Sequence, residues 1–570
     1  MDYEALAELL FPNVTKTPED LEKEYPPRDL PEGAVVSRMG PSPTGFVHLG
    51  NLVQGMTSER MSHQSGGVHF LRVEDTDAKR EVAGAIPLLI EGLSHYGITF
   101  DEGETTDGDK GAYGPYRQSK RAAIYHVYAK KLVREGKAYP CFCTEEELAA
   151  AHTEQEKNKE NFGYYGKYAV WRDRPMEDIK AELDAGKPWV LRFRSEGSIE
   201  HKIKFTDLIK GNLELTENDM DIVLLKSDGI PTYHFAHACD DHLMRTTHVV
   251  RGDEWLPSLP VHLQLFAALG FKPPKYAHIG TLQKMDGSSK RKLSKRKDPE
   301  LALSYYREQG YPTASVYEYI MTILNSNFED WRRANPTANI DEFKFSPKKM
   351  NPAGSLFDVD KLRDVSKDVI SRMTADEVYD GVLDWSAEFD PEFHDLLAWN
   401  PDYAKALLAI GRGGKKPRKV FAVWSELRPY MSFMYNDIFQ PDYTPPEGMT
   451  ATDMAVILRA YYRQRMLMWQ EERTMLEEDG TAWFESVKRL AEALGYCPDT
   501  KLYRSEPEKW KGSVGDVSMA LRIALCGRKQ SPDLYEVMKI WGAEDETGVV
   551  AGRLEACAAA LGADTSDWND

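Results

Sequence analysis

Short apolar strands alternate with helix-period segments near the start of this chain, and this alternation is the feature that most restricts its fold. The segment AVVSR at residues 34–38 reads as a buried strand, and a helix-like segment follows from His48. A second strand, HFLRVED at 69–75, precedes an amphipathic helix at 82–96. Strands and helices that alternate at this spacing predict a parallel, doubly wound sheet.

The alternation stops after residue 118 and resumes at residue 221. The intervening segment has one helical stretch, a polar lysine-rich part and a strand-like VLRFR, which is typical of an inserted domain. Beyond residue 298 helix-period segments dominate. The predicted parts are an N-terminal extension (1–33), a first α/β half (34–118), an insertion (119–220), a second α/β half (221–285), a mixed domain (286–395) and a helical domain (396–570).

Composition and charge restrict the compartment and leave the partner open. A chain of 570 residues with 42% hydrophobic and 29% charged residues is typical of a soluble protein with several domains. We find no apolar run of about 18 residues and no signal peptide, so we predict a cytoplasmic protein without a membrane partner. Six cysteines do not make a disulfide framework. The net charge of −19 argues against nucleic acid, but basic clusters at 284–297 and 412–419 leave RNA possible.

Two segments have the composition of phosphate-binding loops. In RMGPSPTGFVHLGN (38–51), small and Pro/Gly residues lead into a helix, and His48 stands at its start, where an imidazole can donate to phosphate. In GSSKRKLSKRKD (287–298), Lys292 and Lys295 lie on a Gly/Ser-rich loop and can reach a polyphosphate. Taken singly, a structural histidine and an exposed basic loop explain the two segments better.

Together the two segments resemble the ATP-binding motifs of class I aminoacyl-tRNA synthetases, a His-φ-Gly-His turn and a Lys-Met-Ser-Lys-Ser loop. They stand here as HLGN and KLSKR, in the family's order and at opposite ends of one interrupted α/β domain. Asn51 replaces the second histidine, as is common in glutamyl enzymes. Bacterial-type glutamyl-tRNA synthetases are similar in further segments: VEDTD (73–77), GPYRQS (114–119), LLKSDGIPTYHFAHACDDHLM (224–244), VVRGDEW (249–255) and, more weakly, GSVGDVSMALRIALCG (512–527).

This resemblance implies a set of site residues. It assigns catalysis to His48, Lys292 and Lys295. The residues implied for glutamate are Arg38, Gly40, Ser42, Glu74, Arg80, Tyr233, His237 and Arg251. The residues implied for ATP are His48, Gly50, Asn51, Trp255, Leu282, Lys292 and Lys295. Guanidinium groups bind carboxylates through charge-assisted forks, and an amide would leave them unpaired, so such a pocket rejects glutamine by about 10⁴–10⁵.

The resemblance also implies a reaction, an architecture and partners. Glutamate would attack the α-phosphorus of ATP, assisted by Mg²⁺, and the adenylate would be transferred to the end of tRNA-Glu, with activation awaiting bound tRNA. A Rossmann-type catalytic domain would carry an inserted acceptor-end-binding domain, followed by a stem-contact domain and an all-α anticodon-binding domain with Arg418 and Arg522. We expect a monomer. Some relatives hold zinc in the insertion, but only Cys141 and Cys143 match that ligand set, so no zinc is predicted.

Other functions remain open at this point. The nearest are a glutaminyl-tRNA synthetase and an enzyme that loads glutamate on both tRNA-Glu and tRNA-Gln, since the residues do not decide which tRNAs are accepted. A catalytically silent tRNA-binding paralogue belongs to a different class of function. It would be free to lose the ATP-binding side chains of His48, Lys292 and Lys295, and all three are present.

Overall fold

The computed structural model describes residues 1–570 except 44, 78–81, 415–416, 471–478, 545–546, 567 and 569–570. The chain forms two compact units, of which the first comprises residues 1–305 and 317–358 and the second comprises residues 306–316 and 359–570. Every strand of the described chain lies in the first unit.

The elements up to residue 334 follow the predicted alternation on either side of an inserted segment. In chain order they are α1 (Tyr3–Leu10), α2 (Pro18–Glu24), β1 (Val36–Met39), α3 (Leu49–His63), β2 (Val68–Leu71), α4 (Ala85–Ser94), β3 (Glu102–Thr105), β4 (Gly108–Lys110), α5 (Ala122–Arg134), β5 (Ala138–Cys141), α6 (Glu145–Asn158), α7 (Met176–Asp184), β6 (Val190–Phe193), β7 (Lys202–Asp207), β8 (Gly211–Thr216), β9 (Val223–Leu225), α8 (Tyr233–Leu243), β10 (His248–Gly252), α9 (Leu259–Leu269), β11 (Lys275–Ile279), β12 (Gln283–Asp286), β13 (Ser289–Lys292), α10 (Leu303–Gln309), α11 (Thr313–Leu324) and α12 (Phe328–Ala334).

A six-stranded sheet with the order β11–β10–β1–β2–β3–β4 forms the centre of the first unit. All neighbours in it are parallel except β3 and β4. From β1 the chain moves outward through β2 to β3, and after the insertion it returns on the other side of β1 as β10 and β11. The strand order therefore reverses between β1 and β10. In sheets of this type the ligand crevice lies beyond the carboxyl ends of the strands at such a switch point.

The inserted segment builds a separate layer of strands. β5, β6 and β9 form an antiparallel sheet, and β7 and β8 form a hairpin. The sequence DIVLLK, in which β9 lies, was expected to begin the second half of the parallel sheet. The structure corrects this expectation, because Leu225 pairs with Leu191 of β6. An apolar strand sequence shows that a strand is buried but does not show which sheet it joins.

The N-terminal extension is an ordered part of the first unit. Leu6 and Leu21 of α1 and α2 are buried in the same core as α5 and α8. Arg28 forms a two-pronged ion pair with Glu102 at the start of β3, at 2.7 and 3.0 Å. Its guanidinium also lies 3.8 Å from the ring centre of Tyr113. The extension therefore covers an apolar face that would otherwise be open to water.

Loss of the Arg28 side chain is expected to destabilise the first unit. The side chain is 7% exposed, and removing one partner of a buried ion pair costs about 3–5 kcal/mol. Thermal unfolding of Arg28→Ala should show this loss. The matched control is Lys16→Ala, which breaks the solvent-exposed pair with Glu24 and should cost less than about 1 kcal/mol. Equal, small effects of both substitutions would contradict a structural role for the extension.

Residues 317–358 pack with the first unit, because Arg60 on α3 holds them. Its guanidinium pairs with the Asp341 carboxylate at 2.6 Å and donates to the Phe343 carbonyl at 2.6 Å. The compact units divide near residue 358, and the predicted boundary after residue 395 stays a prediction. Sequence periodicity does not register such contacts between distant segments.

The second unit is a helical assembly around one large core. Its core brings together apolar side chains such as Met454, Leu458, Leu521 and Trp541. The remaining helices are α13 (Val359–Arg372), α14 (Ala375–Phe389), α15 (Pro391–Trp399), α16 (Pro401–Ala409), α17 (Leu427–Met431), α18 (Ala451–Gln470), α19 (Gly480–Ala493), α20 (Thr500–Ser505), α21 (Val514–Cys526), α22 (Leu534–Glu544) and α23 (Gly552–Ala560).

Candidate active site

A cavity of about 1340 Å³ opens at the carboxyl ends of β1 and β10, where the sheet order reverses. Most of the residues implied by the resemblance share this cavity. Those on its wall are Arg38, Gly40, Ser42, His48, Gly50, Asn51, Glu74, Tyr233, Arg251, Trp255, Leu282, Lys292 and Lys295. The sequence-based selection of site residues therefore converges on one place in the fold.

His48 caps the N-terminus of α3 and presents one ring nitrogen outward. Its Nδ1 accepts a hydrogen bond from the Gly50 amide at 3.0 Å, and the Asn51 side chain accepts from the His48 amide at 3.0 Å. Burial, together with the charges of Lys295 and Lys292, lowers the pKa of His48 to about 4. The ring is therefore neutral at pH 7, and its proton lies on Nε2. His48 thus offers a hydrogen-bond donor at the positive end of a helix.

The second basic motif forms a hairpin, β12–β13, and a following turn. Arg291 makes two bonds to Asp298 at 2.6 and 2.7 Å, and the Ser294 amide donates to the same carboxylate. Within the described residues, no carboxylate lies at ion-pair distance from Lys292 or Lys295. The ion pair between Arg291 and Asp298 therefore fixes the loop, while the ammonium groups of Lys292 and Lys295 stay available to an anion.

Direct contacts bring the two motifs together. The Lys295 ammonium lies 3.9 Å from the ring centre of Phe46, two residues before His48. An antiparallel bridge joins His48 to Ala302. Donors from distant parts of the chain thus converge on one end of the cavity, as binding of a polyphosphate requires.

The other end of the cavity contains a buried network of ion pairs. The Asp241 carboxylate accepts from Arg72 at 2.7 Å and lies 3.4 Å from Nε of Arg38, and Glu74 accepts from Arg72 at 2.8 Å. Burial opposes ionisation of Asp241, but Arg72 and Arg38 hold its pKa well below the usual range. A Cβ at Gly40 would lie 2.3 Å from Oε1 of Glu74, so a larger residue there would displace this carboxylate. The Arg38 charge is therefore largely compensated inside the protein.

Arg251 differs from Arg38 because no carboxylate contacts it among the described residues. Its Nε donates to Nε2 of His278 at 3.0 Å, and its Nη1 lies 3.2 Å from Nδ1 of His262. Nη2 is buried and has no hydrogen-bond partner among the residues that the structure describes. A guanidinium that is 3% exposed and has no carboxylate partner among the described residues can take an anionic ligand.

His237 does not lie on the cavity wall, contrary to expectation. It is fully buried behind Tyr233, with the two rings stacked 5.7 Å apart, and it lies between Asp241 (2.6 Å) and the Tyr276 hydroxyl (2.8 Å). Burial lowers its pKa to about 3, so the ring is neutral. His237 therefore contacts Tyr233 and Asp241 from behind the cavity.

Sequence reasoning missed several residues that organise the site. These are the buried partners of the two arginines, namely Asp241, His262 and His278, together with Arg72, which pairs with Asp241. Asp241 follows His237 by four residues on α8, and this helical spacing is the one signal that could have indicated it. The others come from separate elements and carry no local signal.

Three further expectations concern Arg80, Arg418 and Arg522. Arg80 lies outside the described residues. Arg418 is exposed, and Arg522 uses its guanidinium within the helical unit, where it donates to the Pro532 carbonyl at 2.8 Å. Their assignment to the anticodon stays a prediction.

The cysteines of the insertion face an aromatic hydroxyl. The Tyr164 hydroxyl lies 3.4 Å from Sγ of Cys141 and 3.5 Å from Sγ of Cys143. Within the described part of the chain, no group of three or more His, Cys, Asp or Glu side chains could hold a metal ion. The absence of zinc stays a prediction.

Burial of neutral histidines predicts loss of stability in acid. Burial lowers the pKa of His69 to about 3, below the value of 6.5 expected in an unfolded chain. The stabilisation is therefore complete above pH 6.5 and is lost as the pH falls towards 3. The pKa of His63 is instead raised to about 9 by its hydrogen bond to Glu59, and its contribution changes only between pH 6.5 and 9.

Thermal unfolding at about pH 7 and about pH 5 measures this effect. The unfolding temperature should fall in acid, and it should fall less in His69→Gln, which cannot take up the proton. If the unfolding temperature of His69→Gln fell between the two pH values by as much as that of the wild type, the contribution of His69 would be contradicted.

Comparison with known proteins identifies the family. The family model described as class I tRNA synthetases (E and Q), catalytic domain, matches residues 34–342. A glutamate–tRNA ligase of Clostridium perfringens is 48% identical over 547 residues, which cover 95% of this chain and 99% of the relative. The chain belongs to the glutamate–tRNA ligase family. A second relative, the glutamate–tRNA ligase of Acetivibrio thermocellus, is 47% identical over 95% of this chain and 98% of its own length.

A solved structure agrees with this assignment. The crystal structure of a glutamate tRNA ligase from Elizabethkingia meningosepticum, in complex with its amino acid, matches with a TM-score of 0.70 and 27% identity. The match covers 92% of this chain and 99% of that chain. As a member of the family the protein is a class I synthetase that uses ATP to join glutamate to tRNA, and the predicted fold class and activity are confirmed. None of the described helices is both long and apolar enough to cross a bilayer.

Proposed function

We propose that the cavity divides glutamate–tRNA ligation between two ends, one for the amino acid and one for ATP. The observation that carries this proposal is the Nη2 of Arg251, which is buried and makes no hydrogen bond within the described part of the chain. The side-chain carboxylate of glutamate supplies that anion, with Arg38 and the Tyr233 hydroxyl at the same end. A bidentate contact between a guanidinium and a carboxylate fixes both position and orientation.

The α-ammonium of glutamate binds to Glu74 in this proposal. Burial raises the pKa of Glu74, and an arriving cation favours its ionised form. Because Gly40 leaves room for Glu74 and Ser42 follows on the same loop, the backbone after β1 borders the amino acid. The α-carboxylate then points towards the ATP end of the cavity.

ATP binds between Trp255, Leu282 and the two basic motifs. His48, with its proton on Nε2, donates to the transferring phosphate, and Lys292 and Lys295 neutralise charge on the departing pyrophosphate. Gly50 and Asn51 hold His48 in this orientation. The protein accelerates the reaction through position and charge and forms no covalent intermediate with the substrate.

Mg²⁺ fits the residues present. Asp77 and Glu254 line the cavity and provide the hard oxygen ligands that this ion prefers, and in such sites most of its ligands are phosphate oxygens and water. When bound, the ion neutralises negative charge on the polyphosphate.

The tRNA partners follow from the same proposal. The insertion grips the acceptor end of tRNA-Glu, residues 286–395 contact the stem, and residues 396–570 read the anticodon, with Arg418 and Arg522 at that end. The basic segment at 412–419 supports an RNA contact in spite of the net charge of −19. The enzyme acts as a monomer in the cytoplasm.

ATP–pyrophosphate exchange tests the proposal. We expect exchange with glutamate but not with glutamine, and only when tRNA-Glu is present. Exchange with glutamine would remove the argument from Arg251. Aminoacylation of tRNA-Gln beside tRNA-Glu tests whether the enzyme charges one tRNA or both.

A further inference from the structure

A buried carboxylate stands behind the glutamate pocket, outside the proposed set of substrate contacts. Asp207, at the end of β7, accepts from Nδ1 of His278 at 2.7 Å and from the backbone amides of Ile209 and Lys210 at 2.9 and 2.8 Å. The amide of His278 itself also donates to it, at 3.2 Å. Burial opposes ionisation of Asp207, yet these donors lower its pKa. The carboxylate is thus a fully bonded, fixed acceptor.

This acceptor determines which nitrogen of His278 carries the proton. Since Nδ1 donates to Asp207, the neutral ring has a bare Nε2, and Nε2 accepts from Nε of Arg251 at 3.0 Å. Burial lowers the pKa of His278, which keeps the ring neutral. A protonated ring or the other tautomer would place two donors face to face at Arg251.

Arg251 is therefore held on two sides by neutral rings. His278 binds Nε, His262 binds Nη1, and the Tyr276 ring lies 4.8 Å from the guanidinium carbon. Neutral imidazoles fix the plane of the guanidinium without cancelling its charge. A carboxylate in direct contact, such as the one on Arg38, would compete with a substrate carboxylate for the same charge.

We infer that Asp207 and His278 are positioning residues for glutamate recognition, acting through Arg251. This inference rests on the proposed contact between Arg251 and the side-chain carboxylate of glutamate. Asp207 lies on the β7–β8 hairpin of the insertion, so two hydrogen bonds connect the insertion to the amino-acid pocket. The pair sets the affinity for glutamate. Losing it weakens the binding of glutamate more than the binding of ATP.

The test is ATP–pyrophosphate exchange with tRNA-Glu, in which KM for glutamate, KM for ATP and kcat are measured separately. His278→Leu removes the acceptor and should raise KM for glutamate about 10–100-fold, since small displacements of a binding group have effects of this size. KM for ATP should change less than about twofold. His278→Gln keeps an acceptor near the position of Nε2 and should restore most of the affinity.

Two further variants separate positioning from general damage. Asp207→Asn preserves the shape but permits the wrong tautomer of His278, and it should raise KM for glutamate about tenfold. If His278→Leu does not fold, the KM of Asp207→Asn for glutamate tests the positioning role instead. The control is His201→Gln, at the residue just before this hairpin, where the imidazole is 71% exposed and wild-type constants are expected.

A double-variant comparison completes the test. If the pair acts through Arg251, His278→Leu should add little to the increase in KM for glutamate already caused by Arg251→Ala. Independent, multiplying effects would overturn the inference, as would equal increases of both KM values or a wild-type KM for glutamate in folded His278→Leu. If Arg251→Ala itself leaves KM for glutamate unchanged, the proposed function of Arg251 fails instead.

Discussion

Arg251→Ala is expected to lower kcat/KM for glutamate about 10²–10⁴-fold, because about 3–5 kcal/mol is lost when one partner of a buried charge pair is removed. The substitution leaves the carboxylate of the proposed substrate contact without its guanidinium. Most of the effect should lie in KM, since the contact is present in both the bound substrate and the transition state. Exchange of pyrophosphate into ATP, measured over a range of glutamate concentrations, gives both constants.

Two controls sharpen this result. Arg251→Lys keeps the charge but loses the planar fork, so it should recover only a small part of the activity. Arg174→Ala removes a half-exposed arginine that pairs with Asp178 on the surface of the insertion, and it should be neutral. A wild-type KM for glutamate in Arg251→Ala would contradict the assignment of the amino-acid end of the cavity.

Lys295→Ala should lower kcat about 10²–10³-fold with little change in KM for glutamate. Removing one fixed donor that stabilises the charge of a transition state typically lowers kcat by this factor. Lys295 is exposed, has no carboxylate partner among the described residues and lies near His48 through the Phe46 ring. Its ammonium is thus available to the pyrophosphate that leaves. Single-turnover formation of glutamyl-adenylate on the tRNA-bound enzyme measures the chemical step itself.

The neighbouring basic residues provide the control. Lys297 is exposed in the same segment but does not line the cavity, so Lys297→Ala should keep nearly all of the activity. Equal losses in Lys295→Ala and Lys297→Ala would mean that the segment contributes only through its total charge. A fall in affinity for tRNA at unchanged kcat would assign Lys295 to RNA binding instead.

Local sequence was sufficient for the catalytic layer and its motifs. The strand before GPSPTG, the helix that begins at His48 and the loop around Lys292 and Lys295 all lie where the residues indicate. Their information is local, because a buried strand, a Pro/Gly turn and a capped helix depend on neighbouring residues. The resemblance then supplied the substrate, and comparison with relatives confirmed the activity.

The tertiary structure decided how the charges of the site are arranged. Sequence treated Arg38 and Arg251 as equivalent, but Asp241 compensates the first, while among the described residues the second is held by neutral rings and contacts no carboxylate. It also placed His237 behind the cavity and β9 in the sheet of the insertion. These facts depend on side chains that are far apart in the chain and meet only in the folded core. The sequence alone therefore determined which chemistry is present, and the fold determined which charge is left for the substrate.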